Sequence, residues 1–460
     1  MNYYLDPFGC VKNQVDAENI MAHLGKAGWK NVSDSDLADL IIVNSCGFIE
    51  SAKQESINAV LEWRKLYPEK KILLAGCLSQ RYAKDLPELL PEADAFIGIE
   101  DPAVIAIKAA ETFASGNLAF NTQECPPGER PLLSPPGSAY VKISEGCNNC
   151  CSYCAIPLIR GSLVSRTITD IVEECRLLLA RGIAELNIVG QDIGVYGTDI
   201  SKNNSMLPDL LNAISALEGN FWVRLLYIHP DHFPIKILDL MEKDKRFLPY
   251  FDIPFQHASA KILKAMNRNG TSEDNLALIK TIRARLPNAV IRSTFMLGFP
   301  GETEDDFALL KDFQKKANLD WLGCFAYSQE EGTASYSMKE RVPAKIANMR
   351  KQAIEEKQII ITEKNMDRFV GKTGDVLIEE YFSEDAQNGS ANNEENGIIY
   401  DENGQANAEY KENLWLGRLY CQAPEIDGAA VILTEKNLQA GTLVKCKITA
   451  RCGFDLEVRI

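Results

Sequence analysis

Along most of the chain, short aliphatic runs alternate with longer stretches whose apolar residues recur every three to four positions, the pattern of strands followed by helices. Leu40–Asn44 and Lys71–Ala75 are unbroken runs of the kind buried on both faces of a parallel sheet. Helix-compatible sequence follows each, at Glu50–Tyr67 and Ser79–Leu90. Residues 2–6 predict a shorter first strand, and a helix follows from about Gln14 to Ala27. Residues 1–122 therefore predict an open parallel α/β sheet. The stretch 123–137, with seven prolines and glycines in Pro126–Pro131 and Pro135–Gly137, reads as a linker.

From 138 to 366 the alternation resumes. Strands are expected at Ala139–Ile143, Glu185–Val189, Trp222–Leu226, Ala289–Leu297 and Trp321–Phe325. Helices are expected at Asp170–Arg181, Pro208–Leu217, Ala260–Met266, Ser272–Ala284 and Thr303–Ala317. This suits a partial β/α barrel with its chemistry at the carboxyl ends of the strands. Residues 343–365, rich in Lys and Glu, predict an exposed amphipathic helix joining domains. The pattern then changes to short alternating runs, Gly374–Glu379, Trp415–Tyr420, Ala430–Leu433, Leu443–Ile448 and Phe454–Ile460. A small five-stranded antiparallel β-barrel over 367–460 is the economical reading, interrupted by a long polar excursion from Ser383 to Asn413.

Composition narrows the function classes. With 46% apolar residues, 460 residues can bury several cores. No apolar run is long enough to predict a membrane-spanning helix, and Met1–Pro7 lacks an export signal, so a cytoplasmic location is expected. Thirteen cysteines in such a chain point to metal use in a reducing compartment. The net charge of −15 disfavours general polyanion binding and permits a basic partner.

The chemistry concentrates in Glu145-Gly-Cys-Asn-Asn-Cys-Cys-Ser-Tyr-Cys-Ala155. Cys147, Cys151 and Cys154, spaced Cys-x3-Cys-x2-Cys, can hold three corners of a cubane iron–sulfur cluster and leave one iron open for a ligand. A structural zinc site needs four protein ligands, and no matching pair lies nearby among four histidines, His23, His229, His232 and His257. Cys150 falls outside the full spacing and reads as a bystander. A second set, Cys10, Cys46 and Cys77, stands at the ends of three expected strands, each beside a glycine and separated by 36 and 31 residues. Small residues capping strands would explain any one of them. Three at equivalent positions converge on one sheet edge and suggest a second three-thiolate site.

The Cys147 loop, with Tyr153 before its last cysteine, resembles the signature of radical S-adenosylmethionine (SAM) enzymes. With three strand-end cysteines upstream and a small β-barrel (a TRAM module) downstream, the whole chain is similar to the methylthiotransferases of that superfamily. The segments Gly9–Asp16, Asn44–Lys53, Gly76–Tyr82, Cys154–Gly161, Asp252–Ser259 and Ala423–Gly428 favour the branch that methylthiolates an aspartate of small-subunit ribosomal protein S-twelve. The transfer-RNA adenosine branch shares the cluster cysteines and Gly298–Thr303 and remains the alternative. A non-catalytic iron–sulfur electron carrier is a third reading, disfavoured by the open iron.

The resemblance implies two 4Fe-4S clusters, the radical SAM cluster on Cys147, Cys151 and Cys154 and an auxiliary one on Cys10, Cys46 and Cys77. It also implies two SAM molecules per turnover, a 5′-deoxyadenosyl radical, a sulfur donor and an electron donor such as flavodoxin or ferredoxin. Tyr153, Gln191, Gly298 and Gly301 are the SAM contacts it suggests, although Gly298-Phe-Pro-Gly301 is equally a tight turn. Lys12 and Asp16 are a solvated ion pair or residues flanking the cluster, and His257 reads as structural. Seventeen acidic against nine basic residues over 366–460 suit a basic protein partner better than transfer RNA.

Overall fold

The computed structural model describes residues 1–100, 104–105, 107–109, 126–201, 204–382, 399–400, 406–407 and 413–460. Near the N-terminus, β1 (Asn2–Pro7), β2 (Lys30–Asn31), β3 (Leu40–Ser45), β4 (Lys71–Gly76) and β5 (Ala95–Ile97) form an all-parallel sheet in the order β2-β1-β3-β4-β5. Leu40, Ile41, Ile42 and Val43 of β3 are all fully buried, each contributing about 1.5–3 kcal/mol of apolar burial. The helix Val11–Lys26 follows β1 and the helix Glu50–Leu66 follows β3. In this strand order the chain reverses direction across the sheet between β1 and β3, which opens a crevice at their carboxyl ends. The helix expected over Ser79–Leu90 is instead two short ones, Cys77–Arg81 and Leu86–Leu89. The first therefore starts directly on a cysteine.

Six parallel strands make the central sheet: β6 (Ser138–Lys142), β9 (Glu185–Val189), β10 (Trp222–Leu225), β11 (Phe247–Asp252), β12 (Val290–Leu297) and β13 (Trp321–Ala326). They run in the order β13-β12-β11-β10-β9-β6 and leave β6 and β13 as open edges, a partial β/α barrel. A two-residue pair, β7 (Ser144–Glu145) and β8 (Val164–Ser165), brackets the Cys147 loop. β11 has no counterpart among the strands expected from sequence. It carries Pro249, and its pairing with β10 slips at that point, from Val223↔Phe247 to Leu225↔Phe251, which removes the need for a proline N–H.

The segment after Pro126 lacks regular structure beyond a single turn, but it is not loose. Arg130 is fully buried and bridges Glu18 of the first helix (2.8 Å) to Glu174 of the helix Ile168–Ala180 (2.5 Å). The helix Ala344–Met366 also departs from expectation, because it is docked along β12 and β13. Its buried stripe is largely polar: Arg350 pairs with Glu302, Gln358 with Gln314, and Thr362 donates to the Asp320 carbonyl. A stripe of that composition looks solvent-facing in sequence.

Beyond it, β14 (Thr373–Phe382), β17 (Asn413–Leu419), β18 (Ala430–Thr434), β19 (Leu443–Cys452) and β20 (Asp455–Arg459) close a five-stranded barrel. Four of its pairings are antiparallel, and β18–β20 is parallel. β15 (Ile399–Tyr400) and β16 (Ala406–Asn407) form a small ladder, and the rest of the 383–413 excursion lies almost wholly outside the described residues. The barrel covers the face of the central sheet opposite its helices. Glu185 of β9 lies between Arg418 (2.5 Å) and Arg224 (2.9 Å), and Asp427 accepts from Arg292 (2.7 Å) and Tyr250 (2.6 Å). Ala423–Gly428 is thus a plug in the concave side of the sheet. Among the described residues no helix is long and apolar enough to cross a membrane.

Candidate functional site

Each cysteine of the first set sits where a strand of the N-terminal sheet ends. Cys10 caps the helix Val11–Lys26 after β1, Cys46 follows β3, and Cys77 opens its short helix after β4. The neighbouring glycines are there for room. A Cβ on Gly9, whose φ is +93°, would lie 3.0 Å from the Cys46 Cβ and 3.3 Å from its sulfur. One on Gly47 would lie 2.7 Å from the Cys77 carbonyl oxygen.

The second set comes from the loop between β7 and β8. Backbone bonds fold it: Cys147 N–H donates to the Gly161 carbonyl, Cys154 N–H to the Cys151 carbonyl, and Ser152 N–H to the Met266 carbonyl. All six sulfur-bearing residues line one cavity of about 310 Å³. Tyr153 and Gln191 line it as well. Cys150 is exposed and stands outside it. Gly298 and Gly301 do not line the cavity either. Gly298 lies against Ala347, where a Cβ would approach to 2.4 Å, and the Gly301 N–H donates to the Glu340 carbonyl. Close packing against the docked helix and turn geometry are what the structure shows at these two glycines. His257 is buried away from the cavity, accepting from the Ser259 N–H at 3.0 Å.

The thiols fit iron. Burial pushes Cys147 and Cys77 up to about 11 and Cys154 up to about 12, and raises Cys46 and Cys151. Buried thiols of this kind lose their protons when a metal supplies the compensating charge. Cys10 differs: burial would raise it, but Lys12 and Arg160 outweigh burial and lower it. Among the described residues, the His/Cys/Asp/Glu set with ligand atoms within 4.8 Å of one another is Asp192–His229–His232, so both cysteine triads are wider than a single ion requires.

Several residues around the cavity carried no signal in the sequence. Arg160 ends the helix Ile156–Arg160 and reaches across to the N-terminal sheet. It pairs with Asp16 and Glu145 at 2.9 Å each and donates to the Cys77 sulfur at 3.3 Å. Lys142 holds the same two carboxylates, and Gln191 Nε2 donates to Glu145 at 2.7 Å. Burial would raise the Glu145 carboxyl, but Lys142 and Arg160 overcome it and hold it at about 2. Asp16 is therefore Arg160's and Lys142's partner, in place of the pairing with Lys12 that the sequence left open. Asp192 accepts from Asn149 Nδ2 (2.7 Å), His232 Nδ1 (2.9 Å) and the Gly194 and His229 N–H groups, so it braces the Cys147 loop.

The comparisons with known proteins follow the same division of the chain. Residues 2–98 match the model of an uncharacterized protein family, UPF0004; residues 141–313 match the radical SAM superfamily; residues 401–460 match the TRAM domain. A protein of Treponema denticola named ribosomal protein uS12 methylthiotransferase RimO is 46% identical, with 98% of this chain and 99% of that one aligned. Proteins of the same name from Syntrophomonas wolfei and Aquifex aeolicus are 40% and 37% identical; the alignments cover 99% and 98% of this chain and 99% and 95% of theirs. Among solved structures, the radical SAM methyltransferase TsrM from Kitasatospora setae, with cobalamin and a 4Fe-4S cluster bound, shares the fold. Its TM-score is 0.53 over 73% of each chain, at 14% identity.

Proposed function

We propose that this chain, which belongs to the RimO family of radical SAM methylthiotransferases, attaches a methylthio group to an aspartate of small-subunit ribosomal protein S-twelve. One observation carries the reading: both cysteine triads open onto the same cavity of about 310 Å³. A radical made at one and a sulfur held at the other can meet on a single substrate carbon without crossing solvent.

Cys147, Cys151 and Cys154 would hold the radical SAM cluster, and Cys10, Cys46 and Cys77 the auxiliary one. When bound, the clusters supply the electron that cleaves SAM and the sulfur that is methylated and transferred, with two SAM consumed per turnover. The chain's part is to position and to exclude water. Phe48, Ile156, Pro157, Ile159 and Pro254 give the cavity its apolar wall. Gln191 turns Nε2 to Glu145, and its Oε1 has no partner among the described residues, which leaves an acceptor for the SAM ammonium. A one-electron donor such as flavodoxin or ferredoxin and a sulfur donor complete the reaction. The charge of −15 suits a basic ribosomal protein, and a ribosomal substrate implies a cytoplasmic setting.

The test is a competition. Anaerobically reconstituted, reduced protein is given SAM together with S-twelve and unmodified transfer RNA, and both substrates are weighed by mass spectrometry. A methylthio increment on S-twelve, with equal yields of 5′-deoxyadenosine and S-adenosylhomocysteine, supports the reading. An increment on the RNA alone would transfer the chemistry to an adenosine and sink the protein substrate.

A further inference from the structure

Three cations line the cavity between the triads, and they are not equivalent. Arg160 is committed to Asp16, Glu145 and the Cys77 sulfur. Arg268 donates to the Pro254 carbonyl at 2.6 Å and reaches the Tyr153 hydroxyl at 3.4 Å. Lys12 is held differently. It lies in the first turn of the helix Val11–Lys26, two residues after Cys10, with only 9% of the residue exposed. Its Nζ stands 3.5 Å from the centroid of the Tyr227 ring.

Among the described residues no carboxylate pairs with this ammonium and no acceptor takes a hydrogen bond from it. Asp16 is occupied by Lys142 and Arg160, and the field of Asp252 reaches Lys12 without an ion pair forming. An ammonium has three donors to satisfy, and an aromatic face satisfies none of them fully. The platform itself is fixed. Tyr227 has a φ of +68°, rare for an aromatic residue, and its carbonyl accepts from the Ile193 N–H at 3.0 Å.

We propose that Lys12 receives the carboxylate of the substrate aspartate and so selects an acidic side chain for modification; the inference rests on the function proposed above. A carboxylate entering a cavity walled by Phe48, Ile156, Pro157, Ile159 and Pro254 gives up its water and needs a counter-charge. Lys12 supplies that charge and a charge-assisted hydrogen bond. Because Lys12 follows Cys10 so closely, the bound side chain is anchored beside the Cys10–Cys46–Cys77 triad. An adenine ring brings no negative charge and leaves the ammonium unpaired, so the same residue disfavours a nucleoside.

The experiment uses the reconstituted full chain, wild type, Lys12→Met and Lys12→Arg, with S-twelve and with S-twelve in which the modified aspartate is changed to asparagine. Wild-type protein should modify S-twelve and bind its aspartate form about thirtyfold or more tightly than the asparagine form. Lys12→Met should keep the iron content and the electron paramagnetic resonance signals of both clusters, yet bind the two forms equally. Lys12→Arg, which retains the charge, should keep a preference for aspartate. Undiminished preference in Lys12→Met overturns the proposal. Loss of iron from Lys12→Met overturns it too, because the ammonium would then serve the auxiliary cluster. A wild-type protein that modifies no S-twelve removes the underlying function instead, before any substitution is compared.

Discussion

Replacing Arg160 with Gln tests whether the two cysteine-bearing units are latched together by charge. The guanidinium is 2% exposed and sits between Asp16 and Glu145, whose side chains are 18% and 26% exposed. Holding the Glu145 carboxyl at about 2, against an ordinary 4.5, corresponds to about 3 kcal/mol in favour of its charged form. Lys142 supplies part of that and remains in the variant, so Arg160→Gln should cost about 2 kcal/mol. In hydrogen exchange followed by mass spectrometry, protection over Val11–Lys26 and Ile156–Arg160 should fall about thirtyfold. Peptides of the C-terminal barrel should not change. The pH dependence has a definite sign. Because the Glu145 pKa is lowered on folding, its stabilisation is fully present above pH 4.5 and is lost as the pH falls toward 2. In the variant the loss begins at the same pH, near 4.5, but is complete at a higher pH and is smaller in total. Unchanged protection in both segments at neutral pH would refute the latch.

Three further outcomes follow from the same geometry. Gly9→Ala pushes a methyl to 3.0 Å from the Cys46 Cβ at a left-handed φ, so reconstituted iron should drop by about half while the Cys147-loop cluster signal persists. Cys10→Ala should abolish sulfur transfer yet leave 5′-deoxyadenosine formation detectable by chromatography; loss of both would contradict separate roles for the two triads. Asp427→Asn leaves Arg292 without its counter-charge beneath the barrel and should destabilise the docked barrel by about 3 kcal/mol, seen as a lower midpoint in urea.

The cysteines were legible because their signals are local or periodic. Cys147, Cys151 and Cys154 lie within eight residues of one another, so any compact loop brings them together. Cys10, Cys46 and Cys77 recur at the strand–helix period, and a parallel sheet lines up strand ends whatever its other details. The run Leu40–Val43 announced a buried strand because both of its faces are covered. β11 stayed hidden because Pro249 argues against a strand, and only the slipped register beside β10 makes the proline harmless.

What the sequence determined by itself was therefore the inventory: three units, two cysteine triads and an acidic balance of charge, each set by composition or by spacing along the chain. The partners of charged groups were decided by tertiary structure. Asp16 stands four residues from Lys12, one helical turn away, yet it turns to Arg160 and Lys142 from the central unit. The stripe Arg350–Asn365 looks solvent-facing until Glu302, Gln314 and Asp320 meet it. Gly298 reads in sequence as part of a turn or a ligand approach, and only the fold shows the helix Ala344–Met366 packed against it. Apolar burial is non-directional and leaves a periodic trace in sequence. A hydrogen bond or ion pair needs a particular atom within about 3 Å, and the chain order does not say which distant segment will bring it.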